Sequence, residues 1–298
     1  MTDRTHSFCL HPAQFRLDGG AMYGIIPRPL WQKVSPPDEL NRIELSLRLW
    51  LIQTAEKNIL VDTGIGDYHD QSFNERFAVQ GADHPIENAL KALGLSAEKI
   101  TDLVVSHLHF DHVGGIGRME SDQLVPVFPN ATLHLHKKHY EYSLNPTARD
   151  QGSFQKEYYL PLIELASKQN RVHWHDGESG ELIRFKNGSL RFQCSMGHTP
   201  WLMHPHTEKF IYGADLIPTA NHISIPWVMG YDIAPGQTTK DKQKFLEKIA
   251  RENLVLIFEH DIKSWGARIE TCEKKGFKIK ELFSSPNELA YGIDEAVL

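Results

Sequence analysis

Apolar and polar positions along the chain alternate between two periods and predict interleaved strands and helices. Apolar runs typical of strands lie at 44–52, 58–61, 103–105, 131–136, 189–196, 210–214, 254–258 and 277–282. Apolar residues at helical spacing predict helices at 86–93, 137–144, 154–167, 238–250 and 267–275. A strand and a glycine-containing loop are expected over 6–34. This order of elements favours an α/β (α+β) fold class, with two strand-rich halves that each end in helices.

A run of metal-type side chains follows one of the predicted strands. It reads Ser106-His107-Leu108-His109-Phe110-Asp111-His112-Val113-Gly114-Gly115, an H-x-H-x-D-H pattern after the aliphatic residues 103–105. Residues i and i+2 of an extended segment face the same side, so His107 and His109 are expected to share one ion. Asp111 and His112, just past the turn, would face a neighbouring position. Imidazole and carboxylate without Cys favour an open divalent-metal site over a sealed structural zinc site.

The H-x-H-x-D-H run is the signature by which the chain resembles the metallo-β-lactamase superfamily. The resemblance extends over nearly the full length of the chain. The resemblance implies an αββα sandwich, with 1–298 as a single domain. Residues 145–170 are richer in polar residues and are expected to form a helical insertion. The family pattern also implies a lone His after a strand, a bridging Asp and a last His, and these positions are matched by His198, Asp215 and His260.

The resemblance implies a centre with two divalent metal ions. His107, His109 and His198 would hold one ion, Asp111, His112 and His260 the other, and Asp215 both. Zinc suits these residues best, although manganese, iron and cobalt also fit them. The centre would present hydroxide to an electrophilic carbonyl or phosphoryl group, with Asp111 or Asp215 moving a proton to the leaving oxygen.

Other polar residues receive supporting or structural interpretations. Asp62, in Asp62-Thr63-Gly64, is expected to orient a metal ligand without binding the ion itself. His134 and His136, and likewise His173 and His175, follow strand alternation and are interpreted as structural.

The loop that carries Met22 and Tyr23 has two interpretations. These side chains either pack onto the core or line a substrate pocket. Some lactonases of the family have a Tyr shortly after the bridging Asp, whereas 216–220 of this chain reads Leu-Ile-Pro-Thr-Ala. His222 or Tyr23 is therefore predicted to supply the missing hydrogen bond to the substrate.

The branch that the chain resembles most contains N-acyl homoserine lactonases and methyl parathion hydrolase-like enzymes. The apolar stretch 222–229 is expected to hold an acyl chain or an aryl group, so the predicted substrate is a lactone, ester or phosphotriester with an apolar portion. A glyoxalase II-like thioesterase is an alternative, but only 38 residues follow His260, too few for that family's glutathione-binding region. A metal-binding scaffold without catalysis is a further alternative.

Composition narrows the partners and the location. The net charge of −6 and the absence of a Lys/Arg cluster argue against nucleic acid as a ligand. No apolar run is long enough to cross a bilayer, and the first residues lack the apolar segment of a secretory signal. The three Cys residues form no CxxC pair, which fits reduced thiols. We therefore expect a cytoplasmic protein without a membrane partner, and a homodimer on the basis of its apolar loops and the insertion at 145–170.

Overall fold

The computed structural model describes residues 5–81, 83–274 and 276–295. Its strands, in chain order, are β1 His6–Asp18, β2 Arg42–Gln53, β3 Asn58–Val61, β4 Asp102–Val104, β5 Gly117–Glu120, β6 Gln123–Pro126, β7 Thr132–His136, β8 Val172–His175, β9 Ser179–Phe185, β10 Gly188–Ser195, β11 Leu202–His206, β12 Phe210–Tyr212, β13 Val255–Ile257, β14 Ser264–Cys272, β15 Gly276–Ser284 and β16 Ala290–Gly292. Its α-helices are α1 Gly19–Tyr23, α2 Arg28–Trp31, α3 Gln71–Phe77, α4 Pro85–Ala92, α5 Phe110–Val113, α6 Lys137–Leu144, α7 Lys156–Lys168 and α8 Pro235–Glu252.

Most of the strands form two seven-stranded mixed sheets. The first sheet has the order β16-β1-β2-β3-β4-β7-β8, and the second has the order β15-β14-β13-β12-β11-β10-β9. Strands β3, β4, β7 and β8 run parallel to one another, as do β12 and β13. Their carboxyl ends therefore lie at a common edge within each sheet, where loops can present side chains for chemistry.

Strand β2 shows why the sequence has near-continuous apolar runs. Leu49 and Leu51 pack in the layer between the first sheet and its helices. Trp50 and Ile52 point the other way, into the layer between the two sheets. Because successive side chains of a strand face opposite sides, a strand that is buried on both sides is apolar at every position.

Helices cover the outer face of each sheet. Helices α4 and α7 bury their apolar faces in the cluster that contains Leu49 and Leu51. On the second sheet, Phe245, Leu246 and Ile249 of α8 pack against β13 and β14. This spacing puts the three side chains on one side of the helix. The layers are therefore helix, sheet, sheet, helix, and the predicted αββα arrangement is confirmed.

Two of the segments that were assigned from the sequence have a different structure. The helix predicted at 267–275 is wrong, because Ser264–Cys272 forms β14 and pairs with β13 and β15. Ala267 and Ile269 alternate with polar neighbours and pack under α8, which is strand periodicity. The stretch expected to be a loop after the first strand contains α1 and α2.

Helix α7 lies within the predicted insertion at 145–170. Its Tyr159, Leu162, Ile163 and Ala166 are buried in the first sheet's outer layer, so the segment contributes to the core. Its assignment as an insertion stays a prediction. No helix in the part of the chain that the structure describes combines the length and the apolar character that crossing a bilayer requires.

Candidate metal centre

The H-x-H-x-D-H run lies directly beyond the carboxyl end of β4, as the sequence predicts. Strand β4 ends at Val104, and α5 begins at Phe110, immediately after His109. The two-residue spacing of His107 and His109 brings their ring centroids to 4.4 Å. Both rings are buried, so this short segment places two imidazoles side by side inside the protein.

One group of buried side chains gathers around these two imidazoles. His198, from the turn after β10, has its Nε2 3.1 Å from His109 Nδ1. Asp215, just after β12, has its Oδ2 3.1 Å from His198 Nε2 and 3.8 Å from His107 Nε2. The first and second sheets thus both contribute to a group of His107, His109, His198 and Asp215 that could hold a metal ion.

A second group lies on the other side of Asp215. It contains Asp111, His112 and His260, which the structure also brings within range of one ion. His112 Nε2 is 3.9 Å from Asp111 Oδ1, and His260 Nε2 is 3.7 Å from Asp111 Oδ2. Asp215 Oδ1 lies 3.1 Å from His260 Nε2. Asp215 Oδ2, which faces the first group, also lies 3.4 Å from His112 Nε2, so the Asp215 carboxylate lies between the two groups.

Unsatisfied polar atoms show that these residues fit a cation. Nε2 of His107, His112 and His260 and Oδ1 of Asp215 are buried and have no hydrogen-bond partner in the structure. Buried polar atoms without partners are costly, and native proteins rarely contain them unless something else satisfies them. Imidazole nitrogen and carboxylate oxygen are ligands of first-row divalent metals.

The electrostatics of the groups agree with this fit. Burial holds the pKa values of His107 and His109 well below the usual range, so both are neutral, as a metal ligand must be. Burial also opposes charge on His198, but the carboxylates of Asp215 and Asp232 outweigh it and raise the pKa of His198 to about 9. This raised value reports a negative potential that attracts cations.

Asp62 contacts both ends of the segment from Ser106 to His112. The buried Asp62 carboxylate accepts hydrogen bonds from the Ser106 amide, 2.6 Å, and the Ser106 hydroxyl, 2.6 Å. It also lies 3.1 Å from His112 Nδ1, so it orients the ring whose Nε2 faces the second group. This arrangement matches the orienting role expected of Asp62.

The structure reveals supporting residues that the sequence analysis missed. Glu259 Oε2 is 3.0 Å from the same Nδ1 of His112, and Asp232 Oδ1 is 3.0 Å from His198 Nδ1. Burial, reinforced by the Asp62 carboxylate, raises the pKa of Glu259 to about 7. Each is a single acidic residue without a local motif, although Glu259 immediately precedes His260.

His139 joins two of the ligand-bearing loops and was also missed. Its Nε2 accepts a hydrogen bond from the Leu108 amide at 2.8 Å, so Nδ1 carries the proton and donates it to the Pro200 carbonyl at 2.7 Å. Burial lowers the pKa of His139 to about 4, which keeps the ring neutral. The ring thereby ties the loop between His107 and His109 to the turn that follows His198.

Glycines allow the ligand loops to pack closely. A Cβ at Gly115 would lie 2.2 Å from the Thr63 carbonyl oxygen, and one at Gly197 would lie 2.2 Å from the Thr238 amide nitrogen. Both contacts are with backbone, which cannot move aside as a flexible side chain can. Gly115 after the first run and Gly197 before His198 are therefore required by close approach of two chain segments.

A cavity of about 270 Å³ opens over both groups. Its floor contains His109, Asp111, His198, Asp215 and His260. Leu17, Met22, Phe77, Phe110 and Met229 form apolar walls, and Tyr231, Arg149, Gly152 and Ser153 complete the lining. Apolar walls above a polar floor are typical of a small-molecule site.

Lys242 fastens the apolar loop that leads to Met229. Its buried ammonium donates to the Ser224 carbonyl at 2.7 Å and to the Trp227 carbonyl at 2.8 Å.

Three residues were predicted from the sequence to contact substrate, and the structure separates them. Met22 lines the cavity, whereas Tyr23 and His222 do not.

Tyr23 and His222 brace the loop behind the cavity wall. Their rings stack with centroids 5.1 Å apart. His222 Nε2 bonds the Met22 carbonyl at 2.9 Å, and its Nδ1 lies 2.8 Å from Thr219 Oγ1. A direct contact of either ring with substrate stays a prediction from the sequence, and the described geometry does not favour it.

The remaining predicted structural histidines lie outside both groups. His134 Nε2 bonds Asp102 Oδ1 at 3.0 Å, and its Nδ1 bonds His175 Nε2 at 3.0 Å. His173 and His136 stack on His134 and Trp201, respectively. None of these four histidines belongs to a group of metal-type side chains found among the described residues.

The chain is similar in sequence to proteins that are named N-acyl homoserine lactonases. An N-acyl homoserine lactonase AttM from Rhizobium johnstonii is 27% identical over 182 residues, which is 59% of this chain and 64% of the lactonase. The aligned part is thus less than two thirds of that relative's length.

Two solved structures share the fold. A probable metal-dependent hydrolase from Staphylococcus aureus superimposes with a TM-score of 0.82 at 23% identity, covering 96% of this chain and 99% of the other. AidC, described as a dizinc quorum-quenching lactonase in complex with a product, superimposes with a TM-score of 0.70 at 21% identity, covering 97% and 96%. At such identities the likeness concerns the fold.

The sequence profile of the metallo-beta-lactamase superfamily matches residues 49–260. This range contains both groups of His and Asp side chains and most of both sheets. Family, layered fold and clustered residues agree, and the chain belongs to the metallo-beta-lactamase superfamily.

Proposed function

We propose that this protein is a metal-dependent hydrolase that holds two divalent ions and opens lactone rings of the acyl homoserine lactone class. One observation carries this proposal: seven buried His and Asp side chains converge in two neighbouring groups beneath an apolar-walled cavity, and Asp215 of the first group lies 3.1 Å from His260 of the second. The relatives named N-acyl homoserine lactonases support the substrate class. Esters and phosphotriesters of similar shape belong to the same proposal.

The two groups have distinct parts in this proposal. His107, His109 and His198 would hold one ion, and Asp111, His112 and His260 would hold the other, with Asp215 between them. Zinc matches the donor set, and when bound the ions supply the Lewis acidity that hydrolysis at neutral pH requires. Asp111 would accept the proton that the attacking water loses and return it to the leaving alkoxide oxygen. The apolar walls would take the acyl chain and exclude bulk water.

Some lactonases of the family have a Tyr shortly after the bridging Asp, and this chain has none at 216–220. We propose that Tyr231 supplies the corresponding hydroxyl. It lines the cavity beside Asp111 and Asp215. Burial and the nearby carboxylate of Asp111 raise its pKa, so the hydroxyl keeps its proton and can donate to a substrate oxygen. We expect Tyr231→Phe to lower kcat/KM for a lactone about tenfold, as loss of one hydrogen bond in the transition state implies. Metal content should not change, and loss of metal in this variant would contradict the assignment.

Metal analysis and a small substrate panel test the proposed function. The purified protein is expected to bind two equivalents of zinc, manganese, iron or cobalt, and chelation should abolish turnover until metal is restored. N-Hexanoyl homoserine lactone, paraoxon and S-lactoylglutathione separate lactonase, phosphotriesterase and thioesterase. Fastest turnover of the thioester would replace the lactone assignment with the thioesterase alternative. Two bound ions without turnover of any panel member or of a generic ester would refute the hydrolase.

A further inference from the structure

One cation stands in the lining of the cavity. Among the residues that the structure describes there, Arg149 is the sole Lys or Arg side chain; the rest of the lining is apolar, small or part of the two metal-type groups, apart from Tyr231 and Ser153. Arg149 lies in the segment between α6 and α7 and is exposed, whereas the His and Asp residues of the cavity floor are buried. Its guanidinium is therefore at the open side of the cavity, where the part of a substrate that extends away from the floor would lie.

Backbone contacts hold Arg149 in place without neutralising it. Its Nε donates to the Asp232 carbonyl at 3.2 Å, and its Nη2 donates to the Gly230 carbonyl. Both acceptors are uncharged, and Arg149 forms no ion pair with a carboxylate within the described ranges. Gly230 and Asp232 flank Tyr231, so the guanidinium is fixed to the same segment that forms one wall of the cavity.

The guanidinium has donors to spare. It carries five N–H groups in a planar fork, and the two carbonyls engage only Nε and Nη2. Nη1 makes no hydrogen bond to another described residue. A hydrogen bond between a guanidinium and an anionic acceptor is about twice as strong as one between neutral groups. The planar guanidinium also matches the geometry of a carboxylate.

From these contacts we propose that Arg149 binds a carboxylate on the substrate, at the end remote from the scissile bond. The inference rests on the proposed hydrolase function and narrows its substrate class. The preferred substrate is then an ester or lactone whose scissile carbonyl meets the floor, whose middle part is apolar and whose far end is anionic. A neutral acyl chain fills the same walls but leaves Arg149 without an anionic partner.

Matched esters test this preference in the zinc-loaded protein. 4-Nitrophenyl hexanoate and mono-4-nitrophenyl adipate share a leaving group and a six-carbon acyl arm, and differ in a terminal methyl or carboxylate. We expect kcat/KM to favour the adipate ester about tenfold, and added salt to reduce this ratio. Arg149→Gln should bring this ratio close to one, and Arg149→Lys, which keeps the positive charge, should keep part of the preference. Arg251→Gln, the same charge change on an exposed part of α8, is the control.

A binding measurement separates this inference from the proposed function. Calorimetric titration of adipate and hexanoate into the zinc-loaded protein requires no turnover. We expect adipate to bind about tenfold more tightly, and Arg149→Gln to remove the difference. Equal or tighter binding of hexanoate to the unaltered protein, or a preference that survives Arg149→Gln, overturns the inference. Selective adipate binding without turnover of either ester would leave Arg149 as an anion site and count against the hydrolase.

Discussion

A single imidazole, His139, links the loop of His107 and His109 to the turn of His198 through two hydrogen bonds. We expect His139→Ala to weaken zinc binding by the first group about 10-fold to 100-fold, because residues that orient metal ligands have effects of this size. His139→Gln, whose amide can accept from Leu108 and donate to Pro200, should recover part of the affinity.

Competition with a chelator measures this effect directly. His173→Gln serves as the control, since His173 is exposed on β8 and belongs to neither group. Equal zinc affinity in His139→Ala and the unaltered protein would show that the two loops keep their positions without this ring.

Residues differ in how readily the sequence reveals them. The run from His107 to His112 is visible because metal-type residues are dense there, and the structure gathers them as expected. His139, Asp232 and Glu259 are single residues, and the partners of His139 and Asp232 are distant along the chain, so no local pattern marks them. Only the three-dimensional contacts identify such residues as supports of the site.

At the scale of elements, the beginning of α8 packs against the turn that carries His198. We expect Gly197→Ala to destabilise the protein by ~1–3 kcal/mol, because the added methyl group meets the backbone of Thr238 in a closely packed region. It should also displace His198 and lower zinc occupancy. Denaturant unfolding and metal analysis of the same preparation measure both effects.

Gly236 offers a matched control on the same helix. A Cβ at Gly236 meets nothing within 4 Å, so Gly236→Ala should be neutral or stabilise the protein by ~0.4–1 kcal/mol. If Gly197→Ala behaves like Gly236→Ala, the close approach does not position His198.

The spacing of apolar residues predicts most elements. Each sheet is buried between a layer of helices and the other sheet, so its strands and the covering helices carry clear apolar patterns. The strands Asn58–Val61 and Val255–Ile257 and the helix Lys137–Leu144 lie at or within about a residue of their predicted bounds. The helix predicted at 267–275 is wrong because the conformation of this segment is determined by its pairing with two other strands, β13 and β15. Its own residues carry charged side chains that are also common on helices.

At the scale of the whole molecule, buried histidines couple folding to pH. Burial, with the neighbouring His134, lowers the pKa of His175 from 6.5 to about 3. The unfolded chain therefore binds more protons than the folded chain between these values, and stability falls as pH falls through this window. We expect the free energy of unfolding of His175→Gln to decline less than that of the unaltered protein between pH 7 and pH 4. Parallel declines measured by urea unfolding would show that His175 titrates normally in the fold.

The groups around Asp215 draw on both halves of the sandwich: His107 to His112 follow β4 of the first sheet, whereas Asp215 and His260 follow β12 and β13 of the second. A chain still being synthesised has the first cluster long before the last histidine emerges. Until the two layers dock, the early imidazoles can engage a cation only loosely. If the protein binds metal as we propose, a complete site forms only when the two layers dock, and an ion held by residues of both layers would link halves of the chain that are synthesised at different times.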